Sequence, residues 1–436
     1  MPPTPIVILG AGMAGYGAWH RLRAAGVEPL IYDKKPYPGG HTASFTGPGG
    51  FVFDDGPHIS FTRDERIQAL FADNVGGRYE VLQARVDNHW RGHWIKHPAQ
   101  CNLHGLPPDL VDAALRDFVD ANGREPGEIG DYESWLRAAY GDTFAETFPM
   151  EYGRKYHTLP ARGMSTDWLG PRLYRPELEE LLLGALSPAT PDVHYVSHFR
   201  YPTEGGFQAY LKPFFEQARI ELEREVVAVD PAARRLRFAD GAEIEYGGLI
   251  SSVPLPDLVE RIAGAPSDVR AAAGRLACTT CVTVNLGVGR DDLSEHHWTY
   301  FYDADFTVTR ASFPHLFSPH NVPAGCGSIQ AEVYFSRKYR PLARDPGELI
   351  DPVIEDFRRC GLLRDDDEIR FREARLVPWA NVIFDHDRAP ALATVHGFLA
   401  DVGIAWCGRY GEWGYQWTDE SFVSGERAAE RVLGGG

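Results

Sequence analysis

The first 33 residues constrain this chain more than any other part of it. An apolar run, Pro5-Ile-Val-Ile-Leu, leads into Gly10-x-Gly12-x-x-Gly15, then a helical stretch to about Ala25, then Glu28-Pro-Leu-Ile-Tyr-Asp33. Each residue type has a task in a strand–turn–helix–strand unit. Gly10 permits the tight turn, Gly12 lets backbone approach a pyrophosphate, and Gly15 lets helix and strand pack closely. The helix N-terminus favours the phosphate charge. Asp33 follows Gly15 by 18 residues and is placed to accept hydrogen bonds from a ribose.

Later turns distinguish FAD from NAD. Asp33 is followed by Lys34-Lys-Pro-Tyr-Pro-Gly39-Gly40-His41-Thr42. A second glycine turn there is unnecessary for NAD but suits the long diphosphate–ribityl arm of FAD. Gly50-Phe-Val-Phe-Asp-Asp-Gly56-Pro57-His58 then brings a strand and a turn toward an isoalloxazine. The late segment Trp406-Cys-Gly408-Arg409-Tyr-Gly-Glu-Trp reads as the opposite flavin wall, with a helix N-terminus near Asp419. The cofactor-binding candidates are Gly10, Gly12, Gly15, Asp33, Gly39, Gly40, Gly56, Val226, Gly408, Arg409 and Asp419. FAD is expected to be held non-covalently.

A chain of 436 residues exceeds one compact core, so two or three domains are expected. The fold class read from the pattern is α/β: a Rossmann-type FAD-binding domain with a helical insert and a β-sheet substrate domain. The FAD-binding domain is expected in three pieces, 1–75, 199–275 and 391–436. Residues 76–105 and 276–390 are assigned to the substrate sheet, and 106–198 to the helical insert. Periodicity predicts helices at 64–75, Leu110–Asn122, Asp131–Tyr140, Pro176–Leu186 and from about Asp419 to Leu433, and two strands within 78–95. Asp240-Gly241 between alternating runs signals a hairpin.

The net charge of −17 argues against a nucleic-acid partner, although a phosphate-bearing small molecule needs only two or three placed cations. No apolar run is long enough to span a membrane. A strand that starts within the first residues leaves no room for a signal peptide, so a cytoplasmic location is expected. Cys101, Cys278, Cys281, Cys326, Cys360 and Cys407 read as buried reduced thiols, including the pair in Cys278-Thr-Thr-Cys281. His194 and His198 have a ligand-like spacing but no carboxylate partner, so no metal site is expected. The oligomeric state stays open.

An ordered set of segments carries a resemblance. It comprises Gly39-Gly40, Phe53-Asp-Asp-Gly56-Pro-His58, Trp94-Ile-Lys-His-Pro-Ala-Gln100-Cys-Asn-Leu, Met164-Ser-Thr-Asp-Trp168-Leu-Gly-Pro-Arg172-Leu, Thr309-Arg310-Ala-Ser-Phe and Gly408-Arg-Tyr-Gly-Glu-Trp-Gly-Tyr415. Together they resemble the FAD-dependent group of amine oxidases, protoporphyrinogen oxidase and UDP-galactopyranose mutase, and the mutases most of all. The resemblance implies a redox-neutral reaction on a nucleotide-activated sugar, with N5 of reduced FAD attacking the anomeric carbon and NAD(P)H a candidate external reductant. It implies that Arg172 and Arg310 clamp the substrate diphosphate, that Tyr300 and Tyr415 touch it, that Gln100 is a further substrate contact, and that His58 stands beside the flavin. Arg suits the clamp because its planar N–H pairs match phosphate oxygens.

Departures from that pattern begin in the nucleobase pocket and extend beyond it. His97 and Ala99 stand where the mutases have aromatic residues, and Gly153 and His157 where an Asn and a Trp are expected. Pro57 replaces a Gly, and Trp417 an acid. A second reading therefore stays open: an FAD-dependent oxidoreductase that oxidises an amine, alcohol or ring carbon, with Trp413 and Tyr415 supplying part of an aromatic cage.

Overall fold

The computed structural model describes residues 4–123, 127–170, 173–193 and 196–434. Its first layer is a five-stranded parallel sheet in the order Ile404–Trp406, Gly248–Ser251, Ile6–Leu9, Leu30–Tyr32, Ile220–Glu221. Strands from the start, middle and end of the chain thus share one sheet. The first helix, Met13–Ala24, packs on the last, Thr418–Gly434. Their backbones touch so closely that a Cβ on Gly17 would lie 1.9 Å from the Phe422 carbonyl oxygen, and one on Gly425 2.0 Å from that of Ala14.

A second sheet has seven strands: Ile369–Val377, Thr279–Val288, Gly327–Ser336, Arg310–Ser312, Trp298–Phe301, Val86–Trp90 and His93–Lys96. The two central strands alternate with period two. Val282, Val284, Leu286, Ile329, Ala331 and Val333 share a core with Val353, Ile354 and Phe357 of the helix Ile350–Arg359. The opposite face carries Cys281, Thr283, Asn285, Gln330, Glu332 and Tyr334, all buried. A buried polar sheet face is uncommon and marks where chemistry is to be sought.

Helices Pro108–Asn122, Tyr132–Tyr140, Asp142–Thr147, Pro149–Tyr156 and Leu178–Leu186 form a layer with its own core around Phe118, Leu136, Phe144 and Phe148. Local chemistry sets the helix starts. Asp131 and Ser134 close a capping box on Tyr132–Tyr140, and Asp64 accepts from the Arg66 and Ile67 N–H groups at 2.9 and 3.3 Å before Glu65–Asn74. Lys155 joins this layer to the second sheet. Its buried ammonium donates to the carbonyl oxygens of Phe301, Asp303 and Val308 at 3.2, 2.9 and 2.6 Å.

The Asp240-Gly241 signal corresponds to a hairpin between Arg235–Phe238 and Glu243–Glu245. Residues 78–95 hold strands Tyr79–Gln83, Val86–Trp90 and the start of His93–Lys96, three where the pattern suggests two. The extra break is a tight turn in which Arg91 and Gly92 both adopt positive φ, +47° and +81°. All six cysteines are buried and none forms a disulfide. His194 lies outside the described residues. Among those described, no group of His, Cys, Asp and Glu could hold a metal ion, and no helix is long and apolar enough to cross a membrane.

Candidate active site

A cavity of about 710 Å³ runs between the parallel sheet, the polar face of the second sheet and the helical layer. The turn after Ile6–Leu9 opens into it. Gly10 adopts φ +105°, and a Cβ there would fall 2.1 Å from Ser252 Oγ. A Cβ on Gly15 would fall 2.1 Å from the Gly10 carbonyl oxygen, so this glycine is required for packing and does not line the cavity. Gly12 pairs with Gly39 in a single β-bridge. No side chain caps the helix that starts at Met13, which leaves its first N–H groups for a ligand. Asp33 is fixed by the backbone N–H groups of Ala11 and Lys35, each 2.9 Å from one carboxylate oxygen, and keeps further lone pairs for a ribose. Gly39, Gly40, Gly56, Val226, Gly408 and Arg409 also line the cavity. This bare-backbone cradle, an uncapped helix start and a fixed carboxylate fit an adenine dinucleotide.

Two cofactor candidates contribute differently. Asp419 sits in the first turn of the last helix and does not line the cavity. Arg409 lines it, but its donors are engaged by Gln416 O (3.1 Å), Ala380 O (3.3 Å) and Asn381 Oδ1 (3.0 Å). That guanidinium ties the wall together.

His58 faces the same space. Its Nδ1 lies 2.7 Å from the Gly56 carbonyl, which can only accept, so Nδ1 carries the proton and Nε2 keeps its lone pair. Burial pushes the imidazole pKa down to about 4, so the ring is neutral near pH 7.

The substrate candidates converge through strand register. Tyr300 pairs with Arg310, and Arg310 with Glu332, across three adjacent strands, so their side chains share one face. Arg310 makes a two-point ion pair with Glu332 through Nε and Nη2, the second at 2.9 Å, and Tyr334 donates to the same carboxylate at 2.7 Å. Tyr300 accepts from Trp298 Nε1 at 3.2 Å. The Tyr415 hydroxyl lies 2.9 Å from that of Tyr156. Gln100 lines the cavity and donates its amide to the Tyr174 carbonyl at 3.1 Å. Arg172, the other clamp candidate, lies outside the described residues. Sequence reasoning missed Glu332, Tyr152, Tyr156 and Tyr334, all of which line the cavity. A signal for Glu332 existed: it is the one acid in the alternating strand Gly327–Ser336.

Comparison with known proteins agrees with this geometry. Residues 8–73 match the NAD(P)-binding Rossmann-like domain family. The structure superimposes on reduced UDP-galactopyranose mutase with a TM-score of 0.93 at 26% identity, covering 99% of this chain and 96% of that one. Cyclohexylamine oxidase from Brevibacterium oxydans shares the fold at a TM-score of 0.70 and 12% identity, covering 100% and 99%. Phytoene desaturase (neurosporene-forming) of Rhodobacter capsulatus is 42% identical over 67 residues, which is 15% of this chain and only 12% of that protein. The 4,4'-diapolycopene oxygenase of a Methylomonas species is 24% identical over 74% of each chain. With the cradle, the cavity and these likenesses in agreement, the chain is a UDP-galactopyranose mutase-like flavoenzyme that shares its fold with the amine oxidases.

Proposed function

We propose that the protein acts on a nucleotide-activated sugar by pyranose/furanose mutase-type chemistry. The observation that carries this reading is the convergence of His58, Tyr300, Arg310 and the Tyr156–Tyr415 pair in the cavity that the dinucleotide cradle opens into. FAD, held by Gly10, Gly12, Asp33, Gly39, Gly40, Gly56, Val226 and Gly408, supplies when bound and reduced a nucleophilic N5. The chain's residues do the rest. Arg310, oriented by Glu332, presents its remaining N–H edge to a diphosphate, and Tyr300 and Tyr415 add hydroxyl donors. Arg172 completes the clamp on the sequence resemblance alone. His58 stays neutral and offers Nε2 as an acceptor that orients the reacting edge. The aromatic walls exclude water from the departing charge, which strengthens each of these contacts.

A specific observation keeps the oxidoreductase reading in view. Glu332 already balances the charge of Arg310, and Tyr152, Tyr156, Tyr300, Tyr334 and Trp168 make the cavity strongly aromatic. Such a lining also suits an amine or a hydrophobic ring. The deciding experiment incubates anaerobically reduced protein with a panel of nucleoside diphosphate sugars and follows ring form by chromatography, with NAD(P)H tested as the external reductant. Interconversion without consumption of reductant supports the mutase. Product formed only by oxidised protein, with peroxide one for one in air, establishes the oxidoreductase and rejects the mutase reading.

A further inference from the structure

A second cavity, of about 900 Å³, opens where the tight turn at Arg91 and Gly92 meets the loop after Trp298–Phe301 and the starts of the helices Pro108–Asn122 and Pro149–Tyr156. Among the described residues, Tyr302 alone lines both this cavity and the catalytic one. The second cavity reaches a buried pair, His89 at 2% exposed and Asp303 at 4%. The Asp303 carboxylate accepts from His89 Nδ1 at 2.8 Å and from the Arg91 backbone N–H at 2.6 Å. No Lys or Arg among the described residues forms an ion pair with it. Lys155 lies within electrostatic reach, but its three hydrogen bonds go to carbonyl oxygens, that of Asp303 among them. With Nδ1 donating, the neutral imidazole keeps its lone pair on Nε2, and that nitrogen has no partner. The pair therefore holds a carboxylate without a cation and an acceptor without a donor, and both are costly in a buried place.

The opening shows what kind of ligand this pair can meet. Carboxylates from separate elements surround it: Asp109 from Pro108–Asn122, Glu146 from Asp142–Thr147, Glu151 from Pro149–Tyr156 and Asp305 from the loop. Glu146, Glu151 and Asp305 are paired with Arg137, Arg154 and Arg359, while exposed Asp109 has no ion pair among the described residues. The two guanidinium groups in the lining are turned to the protein. Arg359 lies over Phe306 at 4.4 Å and bonds Asp305, and Arg91 lies over Trp90 at 5.0 Å. An anion would thus meet carboxylates and engaged arginines. Among the described residues, no group of His, Cys, Asp and Glu could hold a metal ion. The ligand that fits carries positive charge on N–H donors. Between the buried pair and the opening the wall is largely apolar, with Phe306, Tyr302, Leu110 and Pro107. Acidic groups at both ends of an apolar wall match ammonium groups joined by methylene segments.

We propose that this cavity is a binding site for an aliphatic polyamine, one ammonium group of which donates to His89 Nε2 beside Asp303 while another meets Asp109 at the opening. The site is separate from the reaction proposed above, and the experiment needs no nucleotide. Spermidine is titrated calorimetrically into flavin-loaded wild type, Asp109→Lys and His89→Leu, all at one fixed ionic strength because exposed charge contacts are screened by salt. Wild type should show one saturable site that magnesium ions at equal charge do not occupy. Asp109→Lys and His89→Leu should each weaken binding about 10- to 100-fold, with flavin content and absorption unchanged. If His89→Leu fails to fold, Asp109→Lys decides alone, since that side chain is exposed and its exchange leaves the buried pair intact. No saturable heat in wild type, displacement of spermidine by magnesium at equal charge, or unchanged affinity in either folded variant overturns the proposal. Spermidine that binds Asp109→Lys as it binds wild type and shifts the flavin spectrum places the amine in the catalytic cavity instead, and overturns it as well.

Discussion

Replacing Arg310 with Ala tests the buried ion pair and the substrate clamp together, and the structure separates the two effects. Glu332 is 5% exposed at its side chain, and Arg310, at 24%, provides its two-point contact. Truncating Arg310 leaves the carboxylate with the Tyr334 hydroxyl at 2.7 Å as its remaining partner in that cluster. Removing one member of a buried pair costs about 3–5 kcal/mol, and the partial exposure of Arg310 to the cavity lowers that to about 2–3 kcal/mol. For a melting unit of 150–250 residues this is on the order of 4–12 °C. The double variant Arg310→Ala/Glu332→Gln removes the stranded charge and should recover most of the loss, giving a coupling of about 2 kcal/mol in a double-mutant cycle. Turnover should not recover with it. On the proposed function, a diphosphate contact from Arg310 would be worth about 2–4 kcal/mol in the transition state, or roughly 30- to 1000-fold in rate. Denaturant melts, flavin content and turnover of the four proteins complete the assay. Single and double variants that are additive within about 0.5 kcal/mol refute the ion-pair argument, and normal turnover in the double variant refutes the clamp.

Other expected outcomes concern the cofactor and pH. The purified protein should be yellow, with FAD that acid precipitation releases. Gly15→Val should lose it, because a Cβ there would meet the Gly10 carbonyl oxygen at 2.1 Å and force the phosphate turn open; a fully loaded Gly15→Val protein contradicts this. Turnover of the nucleotide sugar should require prior reduction yet leave dithionite-reduced flavin spectrally unchanged after many cycles. His157 has a folded pKa of about 3 against an ordinary 6.5. Below pH 6.5 the unfolded chain therefore binds a proton that the folded chain refuses, and stability falls as pH falls, by about 3 kcal/mol at pH 4 from this group. His157→Leu should flatten that slope in denaturant titrations between pH 6.5 and 4, and an identical slope in both proteins refutes the assignment.

Features set by neighbours in sequence were legible before any coordinates. Gly10, Gly12, Gly15 and Asp33 act within one strand–turn–helix–strand unit, so their spacing carries the geometry. The alternation in Thr279–Val288 and Gly327–Ser336 likewise announces strands with one polar face. What stayed hidden depends on register and packing between distant segments. Glu332 meets Arg310 because two strands pair at that offset, and nothing in either strand alone encodes it. The strand Arg310–Ser312 is short because the carbonyl groups of Asp303 and Val308 before it accept from Lys155 instead of joining a ladder. His157 stands out in sequence only as a departure from a family pattern, and the lack of a partner for its Nδ1 is visible only once its neighbours are placed.

The contact between the first and last helices has a consequence for biogenesis. Arg21 and Glu430, on these two helices, are bonded at 3.1 Å although 409 residues apart, and the glycine faces beside them allow no other element to fill the gap. During synthesis the strand, turn and helix at Ile6–Ala24 emerge well before the surface that braces them, which is translated about 400 residues later. Until the segment around Gly425 has left the ribosome, Met13–Ala24 has an uncovered apolar side that chaperones can hold, and the phosphate turn ahead of it lacks its support. Flavin capture is thus expected to follow synthesis of Thr418–Gly434, and a nascent chain stalled before Thr418 should not retain FAD in a ribosome pull-down.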